Sequence, residues 1–281
     1  MTSRKKSSIL CPNCRKLIST DELRCPYCGI SKPWSWWKNN LLIQGVSSAD
    51  QIVKAIIYAN IGMYIISLLF NSRLPGLSFN PFYILSPENR SLLFLGATGT
   101  VPVNNVHGWW TLVSANYLHG GILHILFNMF AFRQIALLVS REYGVYRMFI
   151  IYALSGIIGF RISYLAGVTF TIGASAAICG LIGAALYYGK SRGGAYGQAI
   201  YRQIGGWALG IMLFGFVVPG INNWGHGGGI FAGAILGFFM GYNERTKEGL
   251  LHKILAGTCA IITVIVLCWA IGSGFFYRFT V

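Results

Sequence analysis

Seven apolar runs follow one another along the chain, at about residues 54–70, 121–140, 146–166, 171–189, 202–218, 225–242 and 252–273. A helix crossing the hydrocarbon core of a bilayer needs about 20 residues, and shorter ones occur inside bundles, so the pattern predicts an all-α polytopic membrane protein. The first forty residues are polar and basic and hold no such run, so no cleavable signal peptide is expected. The connection from 71 to 120 is too long for a turn. Its "SPENRSLLFLGATGTVPVNNVHGWWTLVSANYLHGG" mixes short apolar pieces with paired tryptophans, which predicts a segment lying partly in the membrane interface.

Composition agrees with the pattern. Of 281 residues, 54% are hydrophobic and 10% charged, against about 25% charged in soluble domains. The formal charge of +15 is spread between the apolar runs rather than gathered on one face, which argues against nucleic acid and for membrane topology. With the N-terminus in the cytoplasm, the inside segments carry Arg4, Lys5, Lys6 and Lys38, then Arg141 and Arg147, then Lys190, Arg192 and Arg202, then Arg245, Lys247 and Lys253. The outside connections are poor in charge, so the positive-inside rule places the C-terminus outside. A multi-pass protein of a plasma (inner) membrane, with the lipid bilayer around it, is the expectation.

Residues 9 to 30 read "ILCPNCRKLISTDELRCPYCGI", two Cys-Pro-x-Cys knuckles separated by ten residues. Each knuckle offers two thiolates at one edge of a tetrahedron, so Cys11, Cys14, Cys25 and Cys28 resemble the four ligands of a zinc ribbon. A redox-active thiol pair would need one such motif beside a strand and helix; here the motif is doubled in a module with no other core, which favours structural zinc. The remaining cysteines, Cys179, Cys259 and Cys268, fall in apolar runs as packing residues. The domain organisation is then a cytoplasmic ribbon over 1–32, an interfacial linker over 33–53 with three tryptophans, a membrane core over 54–245, and a further helix with a short tail over 246–281. Nucleic-acid binding, a cytoplasmic partner and simple capping are all open to the ribbon; the aromatic linker at the membrane favours a partner-binding or regulatory role.

No soluble domain beyond the ribbon is long enough to supply a separate site, so any chemistry must come from polar side chains within the bundle, where they are costly unless functional. "HGGILHILFNMF" supplies His119, His124 and Asn128, the last two on one helical face; "TIGASAAICGLIGA" supplies Ser175; "NNWGHGGGIFAGAILG" supplies His226. A serine hydroxyl becomes a nucleophile when a base takes its proton, and histidine suits that task near neutral pH. The seven acids are Asp21, Glu22, Asp50, Glu88, Glu142, Glu244 and Glu248, and none lies centrally in an apolar run, so a serine-histidine dyad is the version that the sequence permits, its histidine oriented by packing. Gly225, Gly229, Gly233 and Gly237 recur every four residues, as do Ala176, Gly180 and Ala184. Such small-residue faces let backbones approach closely and would bring His226 towards Ser175. Singly, each feature has a plainer reading: a membrane serine often bonds its own backbone, and small-residue ladders are ordinary packing.

Together these residues resemble the rhomboid family of intramembrane serine proteases over about residues 54 to 245. "LLFLGATG", "GWWTLVSANYLHGGILHILFNM", "GASA" and "GHGGGIFAG" stand where that family has its first-loop, His-x-x-x-Asn, Gly-x-Ser-x and His-x-x-Gly-x-x-x-Gly motifs. The resemblance implies a six-helix bundle, with the run at 252–273 as a seventh, C-terminal transmembrane helix. It implies Ser175 as nucleophile, His226 as base and then acid, and His124, Asn128 and the Ser175 backbone N–H as an oxyanion hole. It gives His119 a structural place at a loop-to-helix junction, and makes the fifth run and residues 219–224 a substrate gate. The implied partners are transmembrane protein substrates, and neither metal nor ATP serves the catalysis.

Three positions depart from the family pattern: Gly-x-Ser-Gly reads Gly-Ala-Ser-Ala, the frequent Trp-Arg reads Trp110-Thr111, and the often aromatic position four after the serine is Cys179. None removes a catalytic atom. An inactive rhomboid-like protein that binds client transmembrane segments is the nearest alternative; it is normally marked by loss of the serine or histidine, and both are present. A transporter or channel lined by Ser, His and Asn would call for broken-helix repeats or an acidic relay, which the chain lacks.

Overall fold

A computed structural model describes residues 8–11, 16–27, 29, 31–35, 49–72 and 84–280. The chain divides into two compact units, Met1–Ile52 and Val53–Val281.

In the first unit, β1 (Ser8–Leu10) pairs antiparallel with β2 (Leu17–Ser19), with Ile9 opposite Ile18 and Leu10 opposite Leu17. The pairing brings Cys11, just past β1, against Ile18 and Cys25, and all three are buried in one small cluster. One cysteine of each knuckle therefore lies in the same core. Gly29 closes the second knuckle, its N–H donating to the Cys25 carbonyl at 2.9 Å with φ at +75°, a left-handed turn suited to glycine. Cys14 and Cys28, the other two expected zinc ligands, lie outside the described residues.

The second unit is helical. Its elements are α1 (Ala49–Leu69, entering from the first unit), three short helices α2 (Asn89–Phe94), α3 (Thr100–Val106) and α4 (Thr111–Ser114), a 3-10 turn (Ala115–Tyr117), and then α5 (Ile122–Tyr143), α6 (Val145–Leu165), α7 (Ser175–Arg192), α8 (Gly194–Val217), α9 (Asn223–Met240) and α10 (Leu250–Thr280). Among the described residues, five helices are long and apolar enough to cross a membrane: α1, α5, α6, α8 and α10. The chain is an integral multi-pass membrane protein.

The remaining two expected runs also form helices, α7 and α9, but at 18 residues each they are short and rich in glycine and polar residues. Their location explains the composition. Twelve of the eighteen residues of α7 are buried, whereas α8 buries only Gly197, Ile200 and Ile204 of its twenty-four. A central helix meets protein on every side, so small side chains serve it better than bulky apolar ones. A Cβ placed on Gly229 would collide with the Ala176 carbonyl, and one on Gly233 with the Gly180 carbonyl. Gly237 faces Ala184, whose Cα lies 3.2 Å from where its Cβ would be. The two small-residue ladders thus face each other rung by rung.

Two expected boundaries move. The apolar run beginning at 171 becomes helical only at Ser175, because Thr171 is extended and pairs with Thr98 through N···O distances of 2.7 and 3.1 Å. The run expected from 202 is helical already at Gly194, since a helix continues into residues too polar to count as an apolar run. Within residues 84–120 the chain forms the short helices α2 to α4.

The end of α9 remote from His226 is held by Arg147 of α6, whose side chain is 0% exposed. Its Nη1 donates to the carbonyls of Gly241 (2.6 Å) and Met240 (3.2 Å), and its Nη2 to the Thr246 carbonyl (2.7 Å) and Asn243 Oδ1 (3.2 Å). The guanidinium caps carbonyls that a helix C-terminus leaves without partners.

Candidate active site

Ser175 is the first residue of α7. Just before it, Gly173 has φ at +121°, a conformation that disfavours any side chain, and donates its N–H to the Ala115 carbonyl at 2.9 Å. The turn aims the Ser175 hydroxyl off the start of the helix, where backbone N–H groups have no intrahelical acceptor. His226 lies in the first turn of α9, 7% exposed, its N–H bonded to the Asn222 carbonyl at 3.1 Å. The ladder contact carries the two side chains together. His226 Nε2 lies 2.9 Å from Ser175 Oγ, across 51 positions of sequence.

That distance is a hydrogen bond in which the imidazole nitrogen can accept the hydroxyl proton. The other ring nitrogen, Nδ1, is buried and makes no hydrogen bond among the described residues. The ring is held by packing rather than by a carboxylate.

His124 and Asn128 stand one turn apart on α5. The Gly120 N–H donates to His124 Nδ1 at 3.2 Å, so Nδ1 is the acceptor and a neutral ring carries its proton on Nε2. That Nε2 faces the turn before the serine: a Cβ on Gly173 would lie 2.9 Å from it. Asn128 is buried and donates one amide hydrogen to the His124 carbonyl at 2.9 Å, leaving its second for another acceptor. His119 is wholly buried, and its ring packs edge-on against His124 with centroids 5.0 Å apart.

Residues 106–243 match the rhomboid domain. Among its relatives, RHOMBOID-like protein 7 of Arabidopsis thaliana is 26% identical over 80% of each chain. RHOMBOID-like protein 4 of the same plant is 27% identical over 77% of this chain and 61% of its own. Rhomboid protease GluP of Bacillus subtilis (strain 168) is 34% identical over 60% of this chain and 31% of its own. The chain thus spans less than two thirds of the length of the last two.

The three departures from the rhomboid pattern are accommodated locally. The Ala176 methyl lies 3.1 Å from where a Cβ on Gly159 of α6 would be, and Ala176 joins a buried cluster with Leu112, Ala115 and Phe160. Thr111 is buried; its Oγ1 donates to the Gly108 carbonyl at 2.5 Å and lies 2.9 Å from Thr98 Oγ1. Cys179 is buried, its Cβ 3.2 Å from where a Cβ on Gly229 would lie.

Asn222, which the apolar pattern does not single out, caps α9: its Oδ1 accepts the Gly225 N–H at 2.9 Å. An asparagine just before a helix is the signal that marks such a cap. A cleft of about 390 Å³ opens between α5, α7 and α8, lined by Phe130, Gln134, Ile178, Ile182, Trp207 and Gly210. Ile178 lies one turn along α7 from Ser175, so the cleft runs beside the helix that carries the serine.

Proposed function

We propose that this protein is an intramembrane serine endopeptidase that cleaves transmembrane segments of other membrane proteins. The single observation supporting it most is the 2.9 Å approach of His226 Nε2 to Ser175 Oγ within a rhomboid domain. His226 takes the proton as Ser175 Oγ attacks a substrate carbonyl carbon. The resulting tetrahedral intermediate collapses when His226 returns that proton to the leaving amine, and water then hydrolyses the acyl-enzyme by the same route. The oxyanion is received by His124 Nε2–H, the free Asn128 amide hydrogen and the Ser175 backbone N–H, donors that stabilise charge as it develops. The cleft between α5 and α8 admits the substrate, and the exposed α8 is the element that moves aside. The presence of both reacting side chains in bonding geometry favours this reading over an inactive client-binding protein.

The four cysteines of the N-terminal unit are assigned a structural zinc. Cys11 and Cys25, one from each knuckle, are buried in one small cluster with Ile18, which fits a site of four thiolates. The metal supplies folding energy to that unit; catalysis needs none. A partner-binding or regulatory role on the cytoplasmic side, with the N-terminus inside and the C-terminus outside, completes the reading.

A fluorophosphonate probe tests the nucleophile: it should label the wild type in liposomes, label His226→Ala at least about 100-fold more slowly, and leave Ser175→Ala unlabelled. Equal labelling of all three would remove the dyad.

A further inference from the structure

The cap on α9 does more than a cap requires. Besides accepting the Gly225 N–H, the Asn222 side chain donates both its amide hydrogens: one to Ser163 Oγ on α6 at 2.7 Å, the other to Thr171 Oγ1 at 2.9 Å. Thr171 stands four residues before Ser175, and Asn222 four residues before His226, whose N–H it accepts on its own carbonyl at 3.1 Å. One amide therefore joins the two segments that deliver the reacting side chains. Thr171 is anchored in turn by its backbone pairing with Thr98, whose hydroxyl lies 2.9 Å from that of Thr111. Ser163 completes its own bonding by donating to the Gly159 carbonyl at 3.0 Å, so it is free to accept from Asn222.

We propose that Asn222 is a positioning residue that sets the separation of Ser175 and His226 by tying Thr171 and Ser163 to the first turn of α9. The proposal rests on the protease reading above. Its physical basis is the absence of a carboxylate on His226 Nδ1: with no third residue to orient the ring, the placement of the helix start must do so. Serine, aspartate and asparagine all serve as N-caps, but only the amide offers two donors beyond the cap. A plain capping role would therefore tolerate serine, whereas the bridge would not.

The test is a set of three variants assayed in liposomes for kcat and KM on a transmembrane substrate, for fluorophosphonate labelling, and for thermal midpoint. Asn222→Ser keeps the cap and loses the bridge. The double variant Ser163→Ala/Thr171→Val keeps Asn222 and removes both acceptors. The triple variant combines them. A displacement of about 1 Å at a reacting group can cost about 100-fold. Asn222→Ser and the double variant should each lower kcat and the labelling rate by about 10- to 100-fold, with KM within about twofold and midpoints close to wild type. The triple variant should be no slower than either, since both changes break the same link.

Wild-type kcat in Asn222→Ser overturns the bridge while leaving the dyad intact. A kcat loss that tracks a fall in midpoint, or that adds fully in the triple variant, also overturns it, by making Asn222 an ordinary structural cap. A wild type that shows neither cleavage nor Ser175-dependent labelling overturns the protease reading and this proposal together.

Discussion

Gly233 of α9 packs directly on the backbone of Gly180 of α7, so closely that a single methyl group on Gly233 would overlap the Gly180 carbonyl. This contact continues the one between Gly229 and Ala176, and together they bring the helix of His226 against the helix of Ser175. The hydrogen bond between the two side chains depends on that approach. Gly233→Ala should destabilise the protein by about 1–3 kcal/mol through overpacking and slow labelling of Ser175. Gly257→Ala on α10, where an added Cβ meets nothing within 4 Å, should leave both unchanged. Thermal unfolding in detergent compares the two; equal midpoints would show that helix contact tolerates the methyl.

His124 and Asn128 are expected to act on the transition state rather than on substrate binding. His124→Ala and Asn128→Ala should each lower kcat by about 100-fold or more with little change in KM, the behaviour of donors aimed at a developing oxyanion. Steady-state cleavage in liposomes separates the two parameters. A raised KM at constant kcat would instead assign these side chains to substrate binding.

Arg147 should be among the most sensitive positions of the fold outside the site. Arg147→Met removes the buried guanidinium that serves the part-buried carbonyls of Met240, Gly241 and Thr246. A loss of about 2–4 kcal/mol is expected from breaking this network. Unfolding measurements give the magnitude, and a change below about 1 kcal/mol would mean that water replaces the guanidinium there.

The N-terminal unit should carry one zinc per chain. Elemental analysis of the purified full chain should find it, and Cys11→Ser or Cys25→Ser should lower the content well below one, because a tetrahedral thiolate site loses affinity when any ligand is removed. Metal content unchanged by both substitutions would refute the four-cysteine site.

Much of this architecture is legible in the sequence because lipid and close packing each leave a simple mark. Apolar length marks α1, α5, α6, α8 and α10, and spacing by four of Gly229, Gly233 and Gly237 against Ala176, Gly180 and Ala184 marks the central contact. The start of α7 is not legible. "TFTIG" is as apolar as a helix, and it is the tertiary pairing of Thr171 with Thr98, with Gly173 at positive φ, that keeps it extended until Ser175. Asn222 can be read as a cap, but its bonds to Thr171 and Ser163 span 51 and 59 positions, and no local pattern announces them. The same holds for Arg147, which reads as one more charge on the inner side and proves to be a buried clamp.

The dyad itself is tested most directly by cleavage of a model transmembrane substrate in liposomes by wild type, Ser175→Ala and His226→Ala proteins, with products located by mass spectrometry. The wild type should make a single cut within the substrate's membrane segment, and neither variant should cut above background. Equal turnover by all three proteins, or a wild type that binds the segment and leaves it whole, would contradict it.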